Sequence, residues 1–120
     1  MEISVNCHCK ECRVEGGSLL KEVFTNLIEN SVFHSNGNNI SIKSKIKEDQ
    51  VICIIEDDGE GITESEKERI FERGYTTDDE RGTGLGLFLV KMLIEIYGGS
   101  IEVKDSELGG ACFDIYLYRI

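Results

Sequence analysis

The 120-residue chain carries 13 basic and 23 acidic residues, a formal charge of -10 at neutral pH, which opposes broad electrostatic attraction to nucleic acid or to an anionic membrane. Its 40% hydrophobic content is enough for one buried core, and no apolar run approaches the roughly 20 residues that cross a bilayer, so residues 1–120 are expected to form a single domain. Residues 1–12 lack the basic flank and apolar stretch of a signal peptide, which predicts a cytoplasmic chain whose five cysteines stay reduced.

Residues 3–14 alternate weakly and predict two short strands around a loop. Beyond Gly17, the apolar residues Leu20, Val23, Phe24, Leu27 and Ile28 recur at helical spacing, so residues 18–34 read as an amphipathic helix ended by the turn chemistry of Asn36-Gly37-Asn38-Asn39. Ile40, Ile42, Ser44 and Ile46 alternate with polar neighbours as a strand, residues 47–50 make a hairpin, and the unbroken apolar run 51–55 fits a strand buried on both faces. A short helix is expected over residues 65–71, then a polar, glycine-punctuated stretch, 72–83, with the character of a mobile loop. Residues 85–97 predict a core helix with Lys91 and Glu95 on one exposed stripe and Gly98-Gly99 as its stop. Ile101 and Val103, then Phe113, Ile115 and Leu117, alternate as two closing strands joined by a turn at 108–110. Helices interleaved with hairpin-joined strands predict an α+β two-layer α/β sandwich.

Three places carry candidate chemistry. Asn26 and Asn30 lie one turn apart on the first helix, with Glu22 a turn earlier. Asparagine is a mediocre helix former, and a carboxamide oxygen can ligate a hard cation such as Mg²⁺ without adding charge, although the same pair also suits a solvated helix face. Asp57-Asp58-Gly59-Glu60-Gly61 follows the buried strand. A carboxylate fixed at that strand end can accept from an exocyclic amine, with glycines admitting a flat ring, and the tight Asp/Gly turn is the plainer reading of the same residues. Gly82-Thr83-Gly84-Leu85-Gly86-Leu87 opens the core helix, where backbone amides and the helix N-terminus can converge on phosphate. Arg69, Arg73 and Arg81 flank the loop and could neutralise it.

Taken in this order, the motifs resemble the ATP-binding domain of sensor histidine kinases, within the superfamily that also holds type II topoisomerases, a heat-shock chaperone and mismatch-repair ATPases. Asn26-Leu27-Ile28-Glu29-Asn30 is similar to the N box, Asp57-Asp58-Gly59-Glu60-Gly61 to the G1 box, Ile70-Phe71-Glu72-Arg73-Gly74-Tyr75 to the F box, and Gly82-Thr83-Gly84-Leu85-Gly86-Leu87 to the G2 box, the likeness covering about 14–120. The resemblance implies a mixed, mostly antiparallel sheet of about five strands with three helices on one face, and ATP bound between the helices and a lid at 71–83. It implies that Asn30 holds Mg²⁺, that Asn26 supports the metal and phosphates, and that Asp57 binds adenine. Gly59, Gly61 and Ile62 would line the base, and Arg73, Arg81, Gly82, Thr83, Gly84, Leu85, Gly86 and Leu87 would surround the phosphates. It further implies a histidine-bearing phosphoacceptor and dimerisation domain as partner, a downstream response regulator, a monomeric isolated domain and a homodimeric parent kinase that can be membrane-attached.

Superfamily members that hydrolyse ATP carry a glutamate as general base where this chain has Asn26, and an amide cannot take the proton. This favours transfer to an acceptor over hydrolysis; an anti-sigma-type serine kinase and an ATP-binding module without transfer are the alternatives. The family's usual basic residue after the N box is Phe33 here, and of its last glycine box only Gly110 and Phe113 remain, a segment expected merely to pack. His34 reads as a helix-end residue, not a phosphoacceptor. Cys7, His8, Cys9 and Cys12 offer zinc ligands on paper, but C-x-C-x-x-C in one short hairpin lacks a second ligand pair, which argues against a metal site.

Overall fold

The computed structural model describes residues 2–7, 19–34, 37–72 and 86–118. In chain order they form β1 (Glu2–Cys7), α1 (Leu19–His34), β2 (Asn39–Lys47), β3 (Gln50–Asp57), α2 (Glu64–Lys67), α3 (Gly86–Ile96), β4 (Ser100–Asp105) and β5 (Ala111–Tyr118). The strands make one sheet ordered β1-β2-β3-β5-β4. β1 runs parallel to β2, and every other neighbouring pair is antiparallel. This is the mixed, mostly antiparallel α+β sheet expected. Of the two strands anticipated over 3–14, β1 is seen; His8, Cys9 and Cys12 lie outside the described residues.

Strand alternation sorts the sheet into two faces. The register sets Ile42 opposite Ile55, Ile55 opposite Phe113, and Phe113 opposite Val103, so these side chains share one face. That face buries Ile40, Ile55, Phe113, Ile115 and Leu117 against Val23 and Leu27 of α1 and Val90 and Ile94 of α3. α1 packs on α3 and β3, and α3 on β4. Phe71 meets Phe113 edge-on, with ring centroids 6.4 Å apart, an arrangement favoured by the ring quadrupoles.

The other face carries Lys43, Lys45 and Lys47 in the open, yet Ile52 is buried there as well. The register brackets Ile52 between Lys45 and Tyr116, whose long side chains can cover it. Thus β3 is buried on both sides at Ile52 and Ile55, as its apolar run predicts, while Cys53 and Ile54 are half-buried. On the same outer face, buried Asp114 takes Lys104 at 2.6 Å and accepts from the Cys112 thiol at 3.3 Å. Burial, with the Asp114 carboxylate beside it, pushes that thiol up to about 12, so it stays protonated at neutral pH.

The helix ends follow local chemistry. Gly98 adopts φ +79°, and the Gly99 amide reaches back to the Ile94 carbonyl at 2.9 Å, closing α3 at the glycine pair the sequence marks. α2 is shorter than the helix expected over 65–71. Thr63 caps it, its hydroxyl accepting from the Glu66 amide while the Glu66 carboxylate accepts from the Thr63 amide, so a capping box sets the start one residue earlier. Hydrogen-bonded turns then carry the chain through Ile70 to Glu72.

Candidate functional site

β3 leaves the core at Asp57, which lies on the helix-facing side of the sheet opposite Ile40 and is only 2% exposed. A carboxylate so far from water requires hydrogen-bond donors. Its Oδ1 accepts from the Gly59 amide at 3.0 Å and from the Ala111 amide at 3.2 Å. Its backbone carbonyl accepts from the Gly110 amide at 3.1 Å. A Cβ at Gly110 would overlap Asp57 Oδ1 and stand 2.6 Å from both the Asp57 carbonyl oxygen and the Gly59 nitrogen. The last glycine segment, expected only to pack, is therefore a clamp that fixes the orientation of Asp57. Sequence reasoning missed it because residues 108–110 read as a hairpin turn, and their meeting with Asp57 exists only once β5 pairs with β3.

The second aspartate has a different task. Asp58 Oδ1 accepts from the amides of Asn38 at 2.8 Å and Asn39 at 2.9 Å, and Oδ2 accepts from the Asn39 carboxamide at 2.9 Å. These bonds, those of Asn39 foremost, hold the Asp58 carboxyl below the usual carboxylate range. Gly37 packs against Asp58 and Gly59 with no room for a side chain. Asn39 lies five residues past the end of α1, a span of at most about 18 Å. Asp58 therefore ties the start of β2 to the Asp57 corner. A depressed folded value contributes stability that is complete above the unfolded pKa near 3.9 and disappears as pH falls through the folded one. The thermal midpoint is accordingly expected to drop more steeply below about pH 4 in the wild-type chain than in Asp58→Ala, measured by circular dichroism; parallel curves would show that this tie has no energetic role.

α1 presents Asn26 and Asn30 half-buried beside the buried Val23 and Leu27, whereas Glu22 and Glu29 are exposed. The paired amides thus border the packed stripe, and neither glutamate does. The half-buried Asn30 carboxamide is a neutral, hard oxygen donor, which fits Mg²⁺, an ion that keeps several waters and phosphate oxygens and takes few protein ligands. Gly61 sits at φ +78°, a conformation suited to glycine, with its open side toward Gly109 and Gly110. Ile62 and Leu87 are partly buried against the core cluster. Gly86 begins α3, and among the described residues a Cβ there would meet nothing within 4 Å. Arg73, Arg81, Gly82, Thr83, Gly84 and Leu85 lie outside the described residues. Arg69 pairs loosely with Glu72 at 4.0 Å.

Residues 16–119 match the family model described as histidine kinase-, DNA gyrase B-, and HSP90-like ATPase. Sensor protein KdpD of Clostridium acetobutylicum is 41% identical over 103 residues, covering 81% of this chain and 11% of that protein. Sensor protein SrrB of Staphylococcus aureus is 45% identical over 105 residues, covering 82% of this chain and 18% of that protein. The chain thus spans less than a fifth of the curated relatives it matches. Among solved structures, the catalytic domain of histidine kinase ThkA superposes with a TM-score of 0.87 at 30% identity, covering 98% of this chain and 78% of that one. A mycobacterial sensor histidine kinase, MprB, gives 0.84 at 27% identity, with 98% and 81% covered. The chain belongs to the histidine kinase-, DNA gyrase B-, and HSP90-like ATPase family, and within it to the ATP-binding catalytic domains of sensor histidine kinases.

Proposed function

We propose that this domain binds Mg·ATP between α1, the Asp57 corner and the start of α3, and passes the γ-phosphoryl group to a histidine on a separate domain. The observation that carries the reading is the buried Asp57 carboxylate, held in one orientation by the Gly59 and Ala111 amides. Such a group accepts a hydrogen bond from the exocyclic amine of adenine, and positive-φ Gly61 leaves the ring a flat approach. Asn26 and Asn30 face the phosphates, Asn30 as the metal ligand. When bound, Mg²⁺ neutralises charge on the phosphate oxygens. The first amides of α3, opening at Gly86, together with Gly84 and with Arg73, Arg81 and Gly82 of the lid, complete the phosphate cradle.

In the transfer, the bond from the γ-phosphorus to the bridging oxygen breaks, ADP departs with the electron pair, and a P–N bond forms to an imidazole nitrogen of the acceptor. The protein's part is positioning and charge neutralisation. Two features support an external acceptor over water. The place of a general base is taken by Asn26, and the nearby Glu22 and Glu29 are exposed. Leu89, Met92 and Ile96 also form an exposed apolar stripe along α3, a surface on which a phosphoacceptor helix can pack. In this reading the domain is a cytoplasmic monomer when isolated, its parent kinase is a homodimer, and a response regulator receives the phosphoryl group downstream.

The expected result is that the isolated chain releases almost no inorganic phosphate from Mg·ATP, yet phosphorylates a supplied histidine domain from a related sensor kinase. The phosphate should be acid-labile, as a phosphoramidate is. Acid-stable phosphate would indicate a serine or threonine acceptor, and steady phosphate release would indicate an ATPase.

A further inference from the structure

Glu56 and Asp57 are consecutive on β3, so their side chains leave opposite faces of the sheet. Asp57 enters the helix layer, and Glu56 lies on the outer face in register with Cys112 of β5. There too the carboxylate is sheltered, its side chain only 12% exposed, and it requires donors. Oε2 accepts from the Ser106 hydroxyl at 2.7 Å, a short, charge-assisted bond, and Oε1 lies 3.5 Å from the Lys43 ammonium. Ser106 opens the turn that ends at Gly110. Its amide donates to the Gly110 carbonyl at 2.8 Å, its carbonyl accepts from the Gly109 amide at 3.0 Å, and its hydroxyl also accepts from the Leu108 amide at 3.0 Å. The turn is thus folded around Ser106, and it is held to β3 from both faces. Glu56 holds it from outside, and Asp57 holds it from inside through the amides of Gly110 and Ala111.

Without the outer hold, the turn would be fastened to β3 from the inside alone. Ser106 is bonded directly to Gly110, so a swing of Ser106 away from Glu56 carries the Gly110 and Ala111 amides with it. Hydrogen bonds weaken steeply as their angle opens, and the Ala111 amide is one of the two donors that orient the Asp57 carboxylate. We propose that Glu56 and Ser106 are positioning residues for recognition of the nucleotide base. Their contact sets the turn whose amides aim Asp57 at the exocyclic amine of adenine, and Glu56 acts from the face of the sheet turned away from the nucleotide. The inference rests on the assignment of Asp57 to adenine made above. It places part of the selectivity for the base in a contact that meets no part of ATP. Phosphate and metal binding, assigned to α1, the lid and the start of α3, should be affected far less than recognition of the amine.

The test compares Mg·ATP with the Mg²⁺ complex of purine riboside 5′-triphosphate, which lacks the exocyclic amine, by titration calorimetry on the full chain. The wild-type chain is expected to prefer ATP about 30-fold, as a charge-assisted hydrogen bond confers. Glu56→Ala and Ser106→Ala should each reduce that preference about fivefold, chiefly through weaker ATP binding. Glu56→Gln should retain it, since a carboxamide oxygen still accepts from the Ser106 hydroxyl. The ratio is a readout that a purely structural role leaves unmoved, because partial unfolding weakens the binding of both nucleotides alike. If the wild-type chain prefers ATP and either alanine variant keeps the full preference, or Glu56→Gln loses it, the contact has no part in base recognition. The proposal then falls while Asp57 keeps its role. If the wild-type chain binds the two nucleotides equally, Asp57 does not read the amine, and the proposal falls together with the assignment on which it rests.

Discussion

Asp57→Asn is expected to raise the dissociation constant of Mg·ATP about 100-fold while changing the thermal midpoint little. The two consequences separate because an asparagine can keep the bonds made to Oδ1 while it loses the charge. Oδ1 accepts from Gly59 and Ala111, and the oxygen of an asparagine amide can occupy that position and keep both bonds. The other atom then becomes an NH₂ group, a donor presented to the donor amine of adenine. A charge-assisted hydrogen bond is lost and two donors face each other out of water, together about 3 kcal/mol, or roughly 100-fold in affinity. Titration calorimetry on both proteins measures the shift. Unchanged ATP affinity in the variant would remove Asp57 from the base site and with it the main support for the proposed function.

How much of this was legible beforehand depended on the range of the interactions involved. The periods of α1, β2, β3, α3 and β5 were readable because each buries one stripe or alternate residues, and Val23, Leu27, Ile55, Phe113 and Ile115 are all in the core those patterns imply. The stop at Gly98-Gly99 was readable because it is a local hydrogen-bond motif. Even the capping box at Thr63 and Glu66 was present in the order of residues, although the helix was expected to begin later. By contrast, the division of labour between Asp57 and Asp58 could not be read from adjacent letters. One faces the helix layer and the other grips Asn39, nineteen positions away, because a strand sends successive side chains to opposite sides. The parallel placement of β1 beside β2 was equally hidden, since an edge strand of six residues leaves little periodic signal.

Gly110 gives the strongest test of that nonlocal design. Gly110→Ala is expected to lower stability by about 3 kcal/mol, through overpacking of 1–3 kcal/mol with hydrogen-bond losses added. In a domain of this size that is a fall of roughly 10–20 °C in melting temperature. The added methyl group would collide with Asp57 Oδ1 and crowd two backbone atoms at 2.6 Å, and backbone cannot turn aside as a flexible side chain can. Relief would require β5 to withdraw, which breaks the Gly110 bond to the Asp57 carbonyl and the Ala111 bond to its carboxylate. Gly109→Ala is the control one residue away. Gly109 adopts φ +110°, but among the described residues a Cβ there meets nothing within 4 Å, so its expected cost is backbone strain, about 1–2 kcal/mol. Gly110→Ala should also weaken ATP binding, and it should add little to Asp57→Asn in the double variant, because both act on one carboxylate. If the two alanine variants melt together and the ATP affinities combine additively, the turn at 108–110 is only a connection, and the orientation of Asp57 is set from β3 alone.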